Sequence, residues 1–203
     1  MPRTLPGSAA TVGAMTARII AIPEPPPGGF TVADLDEMDD LGHHVELISG
    51  GLVVSARPVH WHTTVMLNLW RTLADQAPDE FRVSCEQGVE VDDGTRPEPD
   101  VLVIRSEAAD PDASTFAGSD VALAVEIVSP GSERRDRRDK PPLYAEAGVA
   151  HFWRIEREGQ APVVHSYELD ETTHGYVATG IHRGTLALTV PWPLTVDLAR
   201  LYP

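Results

Sequence analysis

Three ionisable residues, Asp100, Glu126 and Lys140, stand in patterns that can support catalysis. Asp100 ends the segment 97-PEPD-100, Glu126 lies inside the apolar stretch 121-VALAVEIV-128, and Lys140 follows 14 residues later. An ionised carboxylate that is buried without a partner loses several kcal/mol or more, so Glu126 must be neutral, paired or bound to a metal. The pattern therefore points to chemistry that uses a pair of carboxylates and a cation.

A magnesium-like ion meets the requirement that burial places on Glu126. Such an ion takes about six oxygens and is usually held by one or two carboxylates, waters and a substrate phosphate. On adjacent strands, Asp100 and Glu126 would supply the carboxylates and the Ile127 carbonyl a further oxygen. Lys140 would orient or deprotonate an attacking water, or stabilise charge on a phosphoryl group. This set predicts a phosphodiester-hydrolysis site that uses Mg²⁺ or Mn²⁺.

Hydrophobic patterns predict the elements that position these residues. The apolar stretches 101-VLVI-104 and 121-VALAVEIV-128 do not alternate, which is typical of strands buried on both faces in the middle of an α/β sheet. The remaining predicted elements before Lys140 are a helix in 31–41 capped by Thr31, a hairpin of 45–49 and 52–55, a helix over 61–77 and an alternating strand over 81–91.

Beyond Lys140, a short helix is predicted over 142-PLYAEAG-148, ended by Gly148. Because a proline disfavours the α conformation in the residue before it, Pro141 predicts that Lys140 is an N-cap-like residue at a helix break. Strands are predicted at 149–155, 162–169, 175–180 and 186–190. Together these elements predict an α/β fold with a mixed sheet flanked by helices.

Charge and composition limit the possible functions. Sixteen Lys and Arg residues against 31 Asp and Glu residues give a formal charge of −15, which opposes nonspecific binding to nucleic acid or an anionic membrane. No apolar run reaches the length of a membrane-spanning helix. Cys85 is the single cysteine, so a disulfide framework and a zinc cluster are excluded and a reducing, cytoplasmic location is predicted.

The chain divides into two parts of different composition. Residues 1–29 are rich in Pro, Gly, Ala, Ser and Thr and predict a flexible leader, and residues 30–203 predict a single domain. Either Met1 or Met15 can be the start of translation.

Several motifs resemble those of the Uma-type family of restriction endonucleases, within the PD-(D/E)xK nuclease superfamily. The resemblance is carried by 46-ELISGGLVVS-55, 60-HWHTTV-65, 97-PEPDVLVI-104 and the stretch 125-VEIVSPGSERRDRRDKPPLYAEAGVAHFWRIE-156, with a typical ending at 193-PLTVDLARLY-202. It implies a restriction-endonuclease-like core, in which a central mixed β-sheet lies between helices and an additional hairpin precedes it.

The resemblance also implies roles for single residues. Asp100 matches the family's first metal ligand, Glu126 its second, and Lys140 the lysine that has moved to the following helix. In the simplest superfamily pattern the lysine would stand at position 128, where this chain has Val128.

Two further positions enter through the resemblance alone. Glu46 matches an acidic residue that often approaches the metal, and His62 matches a histidine that opens the long helix. The implied activity is Mg²⁺- or Mn²⁺-dependent cleavage of DNA, and the resemblance allows a homodimer.

Structural interpretations of the same residues stay open. Asp100 can simply end a Pro-rich turn, and Glu126 can pair with a core arginine or hydroxyl group. Lys140 can form an exposed i,i+4 pair with Asp136. Residues 133–140 contain five basic and three acidic side chains, which can touch phosphates flanking a cut site or form a solvated surface of mixed charge.

Three functions therefore compete. The first is a metal-dependent DNA endonuclease. The second is a catalytically inactive nuclease-like domain that serves as a binding or assembly module, favoured by the acidic charge and by the Pro141-Pro142 pair. The third is hydrolysis of another phosphoester, such as a nucleotide.

Overall fold

The computed structural model describes residues 23–38 and 45–203. Most of the predicted leader, with Met15, and residues 39–41 of the first predicted helix lie outside this part of the chain. From Pro23 to Gly28 the described residues are exposed, and Phe30 is the first buried side chain among them. The division into a leader over 1–29 and a single domain over 30–203 stays a prediction.

The described residues form three α-helices and twelve β-strands. The helices are α1 (Val32–Glu37), α2 (His60–Ala74) and α3 (Lys140–Glu146). The strands are β1 (Val45–Ile48), β2 (Gly51–Val54), β3 (Phe81–Cys85), β4 (Gly88–Glu90), β5 (Val101–Arg105), β6 (Thr115–Ala117), β7 (Val121–Ile127), β8 (His151–Glu158), β9 (Ala161–Asp170), β10 (Gly175–Arg183), β11 (Thr185–Leu188) and β12 (Leu194–Asp197).

A six-stranded mixed sheet forms the centre, in the order β10-β9-β8-β7-β5-β3. Within it β7 and β8 run parallel, joined through α3, and the other neighbouring strands are antiparallel. All seven residues of β7 are buried, as are the first four of β5. The predicted α/β class, the central position of these two strands and the separate β1–β2 hairpin are confirmed.

Alternation along the central strands separates two hydrophobic layers. On one face Val101, Val103 and Val125 pack against α2, and on the other Leu102 and Ala124 pack against Tyr144 of α3. Successive strand residues point to opposite faces, so Glu126 lies on the same face as Ala124, towards α3. The period of the strand therefore directs this carboxylate at the helix that begins with Lys140.

The β5–β7 register brings the two predicted acids together. Val101 pairs with Val125 in the antiparallel ladder. Asp100 directly precedes β5, next to the Val101–Val125 pair, and its Oδ2 accepts the backbone N–H of Ile127 at 2.6 Å. The structure therefore brings the two predicted acids close along neighbouring segments, and their role as metal ligands stays a prediction.

The predicted helix break at Pro141 is wrong. Residues Arg135–Asp139 form a π-helical turn that runs directly into α3, and Lys140 has α-helical angles, φ −76° and ψ −40°. The N–H of Lys140 donates to the carbonyl of Arg135, five residues earlier. The wide π turn supplies this bond, and Pro141 then occupies the first turn of α3, where its missing N–H costs little.

The other differences between the predicted and the observed elements involve short strands. The predicted strand over 81–91 is divided at Glu86, whose positive φ of 53° turns the chain out of the main sheet. After this turn β4 pairs in parallel with β6, a strand that the sequence did not predict, and β12 pairs with β11. Three- and four-residue strands have too little pattern to be recognised locally.

Candidate active site

One cleft of about 410 Å³ gathers the residues that the sequence singled out. It is lined by Glu46, Asp100, Glu126, Ile127 and Lys140, all of which were predicted. The carboxylates in its lining are Glu46, Glu86, Glu98, Asp100, Glu126 and Asp136, and the basic residues are Arg57, Arg135, Lys140 and His62. Acidic groups outnumber the permanent cations, so the cleft has an excess of negative charge.

Lys140 is buried between two carboxylates. Its Nζ lies 2.6 Å from Glu46 Oε1 and 2.9 Å from Glu126 Oε1, and it contacts the carbonyl of Glu98 at 3.4 Å. Lys140 is 5 % exposed, Glu46 3 % and Glu126 2 %. The interpretation of Lys140 as an exposed partner of Asp136 is therefore wrong.

Tyr144 completes the surroundings of Glu126 and was missed by the sequence reasoning. Its hydroxyl donates to Glu126 Oε1 at 2.5 Å, and its side chain is fully buried. Its spacing is the signal that would have found it. Tyr144 follows Lys140 by four residues, and residues four apart on a helix share a face. Burial of Glu126 is thus compensated by an ammonium group and a hydroxyl, rather than requiring a metal.

The pKa values follow from this arrangement. Burial alone would lower the pKa of Lys140, but attraction to Glu126 and Glu46 outweighs burial and raises it above the ordinary 10.5. Burial raises the pKa of Glu126 well above 4.5, and attraction to Lys140 opposes only part of that rise. Lys140 therefore stays protonated at neutral pH, which suits charge stabilisation and argues against its deprotonating a water.

Asp100 is held from two sides. Its Oδ1 lies 3.1 Å from His62 Nε2, and its Oδ2 accepts the backbone N–H of Ile127 at 2.6 Å. Burial would lower the pKa of His62, but the hydrogen bond and the charge of Asp100 raise it above 6.5. The helix-entry histidine that the resemblance selected therefore orients the predicted metal ligand from α2.

Glu46 positions Lys140 from the β1–β2 hairpin. Its Oε1 accepts the backbone N–H of Glu98 at 2.9 Å in addition to the Lys140 contact. Glu98 precedes Asp100 by two residues, so the same carboxylate connects the hairpin, the 97-PEPD-100 segment and α3. This connection explains why a residue so distant in sequence belongs to the site.

Asp136 is a further cleft residue that the sequence did not identify as buried. It is 2 % exposed, and the Ser132 hydroxyl donates to its Oδ2 in a short hydrogen bond. Burial raises its pKa from 3.8 to about 6, although Lys140 and the Ser132 hydrogen bond oppose the rise. The Ser-x-x-x-Asp spacing across the π turn is the only local signal for this contact.

The described residues offer few protein donors for the predicted magnesium-like ion. Within residues 23–38 and 45–203 no three His, Cys, Asp or Glu side chains are grouped closely enough to hold a metal by themselves. Asp100 and Glu126 would therefore supply two carboxylates beside the Ile127 backbone and leave the remaining positions to water and phosphate. Mg²⁺ is usually bound in this way, because it gives up its waters reluctantly.

Comparison with solved structures shows that this α/β fold occurs in another protein. A crystal structure from Anabaena variabilis ATCC 29413, described as "a putative nuclease belonging to DUF820", superposes with a TM-score of 0.67 at 16 % sequence identity. The alignment covers 85 % of this chain and 97 % of the other. Identity at this level shows a shared fold.

The sequence itself assigns the family. Residues 32–199 match Uma2, described as "Putative restriction endonuclease", and the chain belongs to this family. The resemblance that the motifs carried is confirmed, and membership supports a nuclease function. No curated protein matches the chain. Among the described residues, no helix has the length and apolar character needed to cross a membrane.

Proposed function

We propose that the protein is an endonuclease that hydrolyses DNA phosphodiester bonds with the help of Mg²⁺ or Mn²⁺. The observation that carries the proposal is that Asp100 and Glu126 line one cleft together with the buried cation Lys140. Two oxygen donors and a permanent positive charge in one cleft are suited to a phosphoryl group.

In this proposal some residues bind the metal ion and others orient the metal ligands. Asp100, Glu126 and the Ile127 carbonyl would hold the cation, which when bound supplies Lewis-acid stabilisation of phosphoryl oxygens. His62 fixes the orientation of Asp100, as outer partners of metal ligands commonly do. The preorganised contacts mean that little rearrangement is needed when the substrate arrives.

Lys140 acts as a fixed ammonium group in this proposal. Glu46 and Glu126 hold its Nζ in place and keep it protonated. A protonated lysine donates hydrogen bonds, so it can orient the attacking water and stabilise negative charge that develops on the phosphoryl oxygens. Glu46 is then a positioning residue, because it acts through Lys140.

Plasmid cleavage tests the proposal. Purified protein should nick DNA when Mg²⁺ or Mn²⁺ is present and lose this activity in EDTA, and Asp100→Ala and Glu126→Ala should each abolish it. Glu107→Ala is the matched control, since Glu107 is an exposed carboxylate outside the cleft.

Two results would refute hydrolysis at this site. Equal cleavage by wild type and both cleft variants would identify a contaminating nuclease. Absence of cleavage together with absence of any thermal upshift from Mn²⁺ would leave a nuclease-like domain without metal chemistry.

A further inference from the structure

Arg135 differs from the other basic residues of its segment. It lines the cleft, and its Nε is buried without a hydrogen-bond partner. Two other basic residues of the segment are paired, Arg137 with Glu156 at 2.7 Å and Lys140 with the cleft carboxylates. A buried donor without a partner is costly, so such a group calls for an explanation.

The missing partner of Arg135 is not one of the carboxylates that line the cleft. Six carboxylates line the cleft, yet none of the ion pairs found among the described residues includes Arg135. A second guanidinium, that of the exposed residue Arg57, lines the same cleft from the loop between β2 and α2. Two guanidinium groups from different segments therefore border a cleft whose other charges are mainly negative.

A guanidinium group is better suited to binding phosphate than a cation that acts as a point charge. Its planar set of N–H donors matches the oxygens of phosphate and binds them in pairs. Arg135 also begins the π-helical turn that leads into Lys140, so its position is fixed relative to the proposed hydrolytic centre. A phosphate held by Arg135 would thus lie at a fixed place along the bound strand.

We propose that Arg135 and Arg57 form a phosphate subsite that holds the nucleic-acid backbone beside the bond to be cut. The inference rests on the proposed function, because it assumes a nucleic acid in the cleft. It assigns the subsite to two specific side chains, in contrast to a general attraction by the charged segment 133–140.

Fluorescence anisotropy with a labelled DNA duplex tests the subsite. Binding is measured in a buffer with a fixed concentration of Ca²⁺ while NaCl is varied, and a gel verifies that the duplex stays intact. Arg135→Ala should bind about tenfold more weakly. The slope of log affinity against log salt should also become shallower by about 0.9, as expected for one lost phosphate contact.

Arg134→Ala is the matched control for the charge of the segment. Arg134 is adjacent in sequence, its side chain is 84 % exposed, and it does not line the cleft. The subsite predicts near wild-type binding for this variant. Equal losses in Arg134→Ala and Arg135→Ala would mean that only the charge of the segment matters, and unchanged binding in Arg135→Ala would remove its role.

Two more variants keep the test informative if Arg135→Ala does not fold. Arg135→Lys keeps the charge but not the fork of donors, so it should recover most of the salt slope and only part of the affinity. Arg57→Ala leaves the π turn intact and should shift the slope as Arg135→Ala does. Circular dichroism verifies that each variant is folded, and a folded Arg57→Ala with wild-type binding would overturn the paired subsite.

The outcomes for the subsite and for hydrolysis are separable. If wild type binds DNA but cleaves none with Mg²⁺ or Mn²⁺, the proposed function fails and the subsite stands. If wild type cleaves DNA and the Arg135 and Arg134 variants bind alike, the subsite fails and the proposed function stands. A wild type that does not bind the duplex overturns both.

Discussion

Two ion pairs of similar geometry lie in very different surroundings. Lys140 Nζ is 2.6 Å from Glu46 Oε1 in the cleft, and Arg183 Nη2 is 2.6 Å from Glu158 Oε1 at the edge of the main sheet. The cleft pair is almost completely buried, whereas both side chains of the second pair are more than half exposed. Distance alone is therefore a poor guide to the contribution of a charge pair.

The difference lies in what happens when one partner is removed. Water replaces a lost partner at the surface, so an exposed pair contributes little to stability. In the interior the remaining charge has no such replacement, and breaking the pair is strongly destabilising. Each prediction below compares a buried group in or beside the cleft with a counterpart outside it.

The largest effect is expected for Lys140→Ala. It leaves Glu46 and Glu126 buried without their shared cation, so the free energy of unfolding should fall by about 3–5 kcal/mol. Arg183→Ala should leave it close to the wild-type value. Urea denaturation measures both variants, and similar losses in the two would contradict the distinction.

Asp136 should produce a dependence of stability on pH. In the folded state its pKa is about 6, above the ordinary 3.8, so the folded state binds the proton more tightly than the unfolded state does. Protonated Asp136 therefore stabilises the fold fully below pH 4, and this stabilisation is lost as pH rises through 6. Asp136→Asn should therefore be more stable than wild type at pH 7 by up to about 3 kcal/mol.

The exposed control for Asp136 is Asp139, which pairs with Arg134 at 3.7 Å. Asp139→Asn should follow the wild-type stability curve between pH 4 and 7 in metal-free buffer. If the difference between wild type and Asp136→Asn does not change over that range, the raised pKa of Asp136 is wrong.

The histidines of α2 sharpen the comparison at the proposed metal site. His62 is buried and contacts Asp100, whereas His60 is exposed. His62→Ala should weaken Mn²⁺ binding by about 10- to 100-fold, because an outer partner of a metal ligand is lost. His60→Ala should bind Mn²⁺ as wild type does in isothermal titration calorimetry, and parallel losses would argue against the positioning role of His62.

The smallest effect is expected for the hydroxyl of Tyr144. Tyr144→Phe removes one donor to a buried carboxylate, so it should cost about 2 kcal/mol of unfolding free energy. Tyr176→Phe removes a neutral hydrogen bond to the carbonyl of Val149 and should cost about 1 kcal/mol. A larger loss in Tyr176→Phe, measured by urea denaturation, would mean that the charge of Glu126 contributes nothing to the Tyr144 bond.

Local patterns were sufficient for much of the fold. The apolar stretches that became β5 and β7, the hairpin around Gly50-Gly51 and the period of α2 were predicted, since each extends over enough residues to show its repeat. The family motifs then selected Glu46 and His62, whose importance no local pattern reveals. Both residues lie in or against the cleft.

The site needed information that adjacent residues do not contain. Pro141 predicted a helix break at Lys140, but the π turn before Lys140 continues the helix, and the lysine side chain is buried. The sequence marked neither Asp136 nor Tyr144 as buried, and both are buried in the folded chain. Their burial, and with it the direction of each pKa shift, depends on elements that are remote in sequence.

By itself the sequence determined which strands are buried, which family the chain resembles and which acids can meet, because strand period and motif spacing are local properties. The tertiary structure decided that Glu126 is paired with Lys140 and Tyr144 and that Lys140 stays protonated. It also decided that Arg135 carries a buried nitrogen without a partner. These properties come from desolvation and from contacts between distant segments, and both exist only once the sheet and helices have packed together.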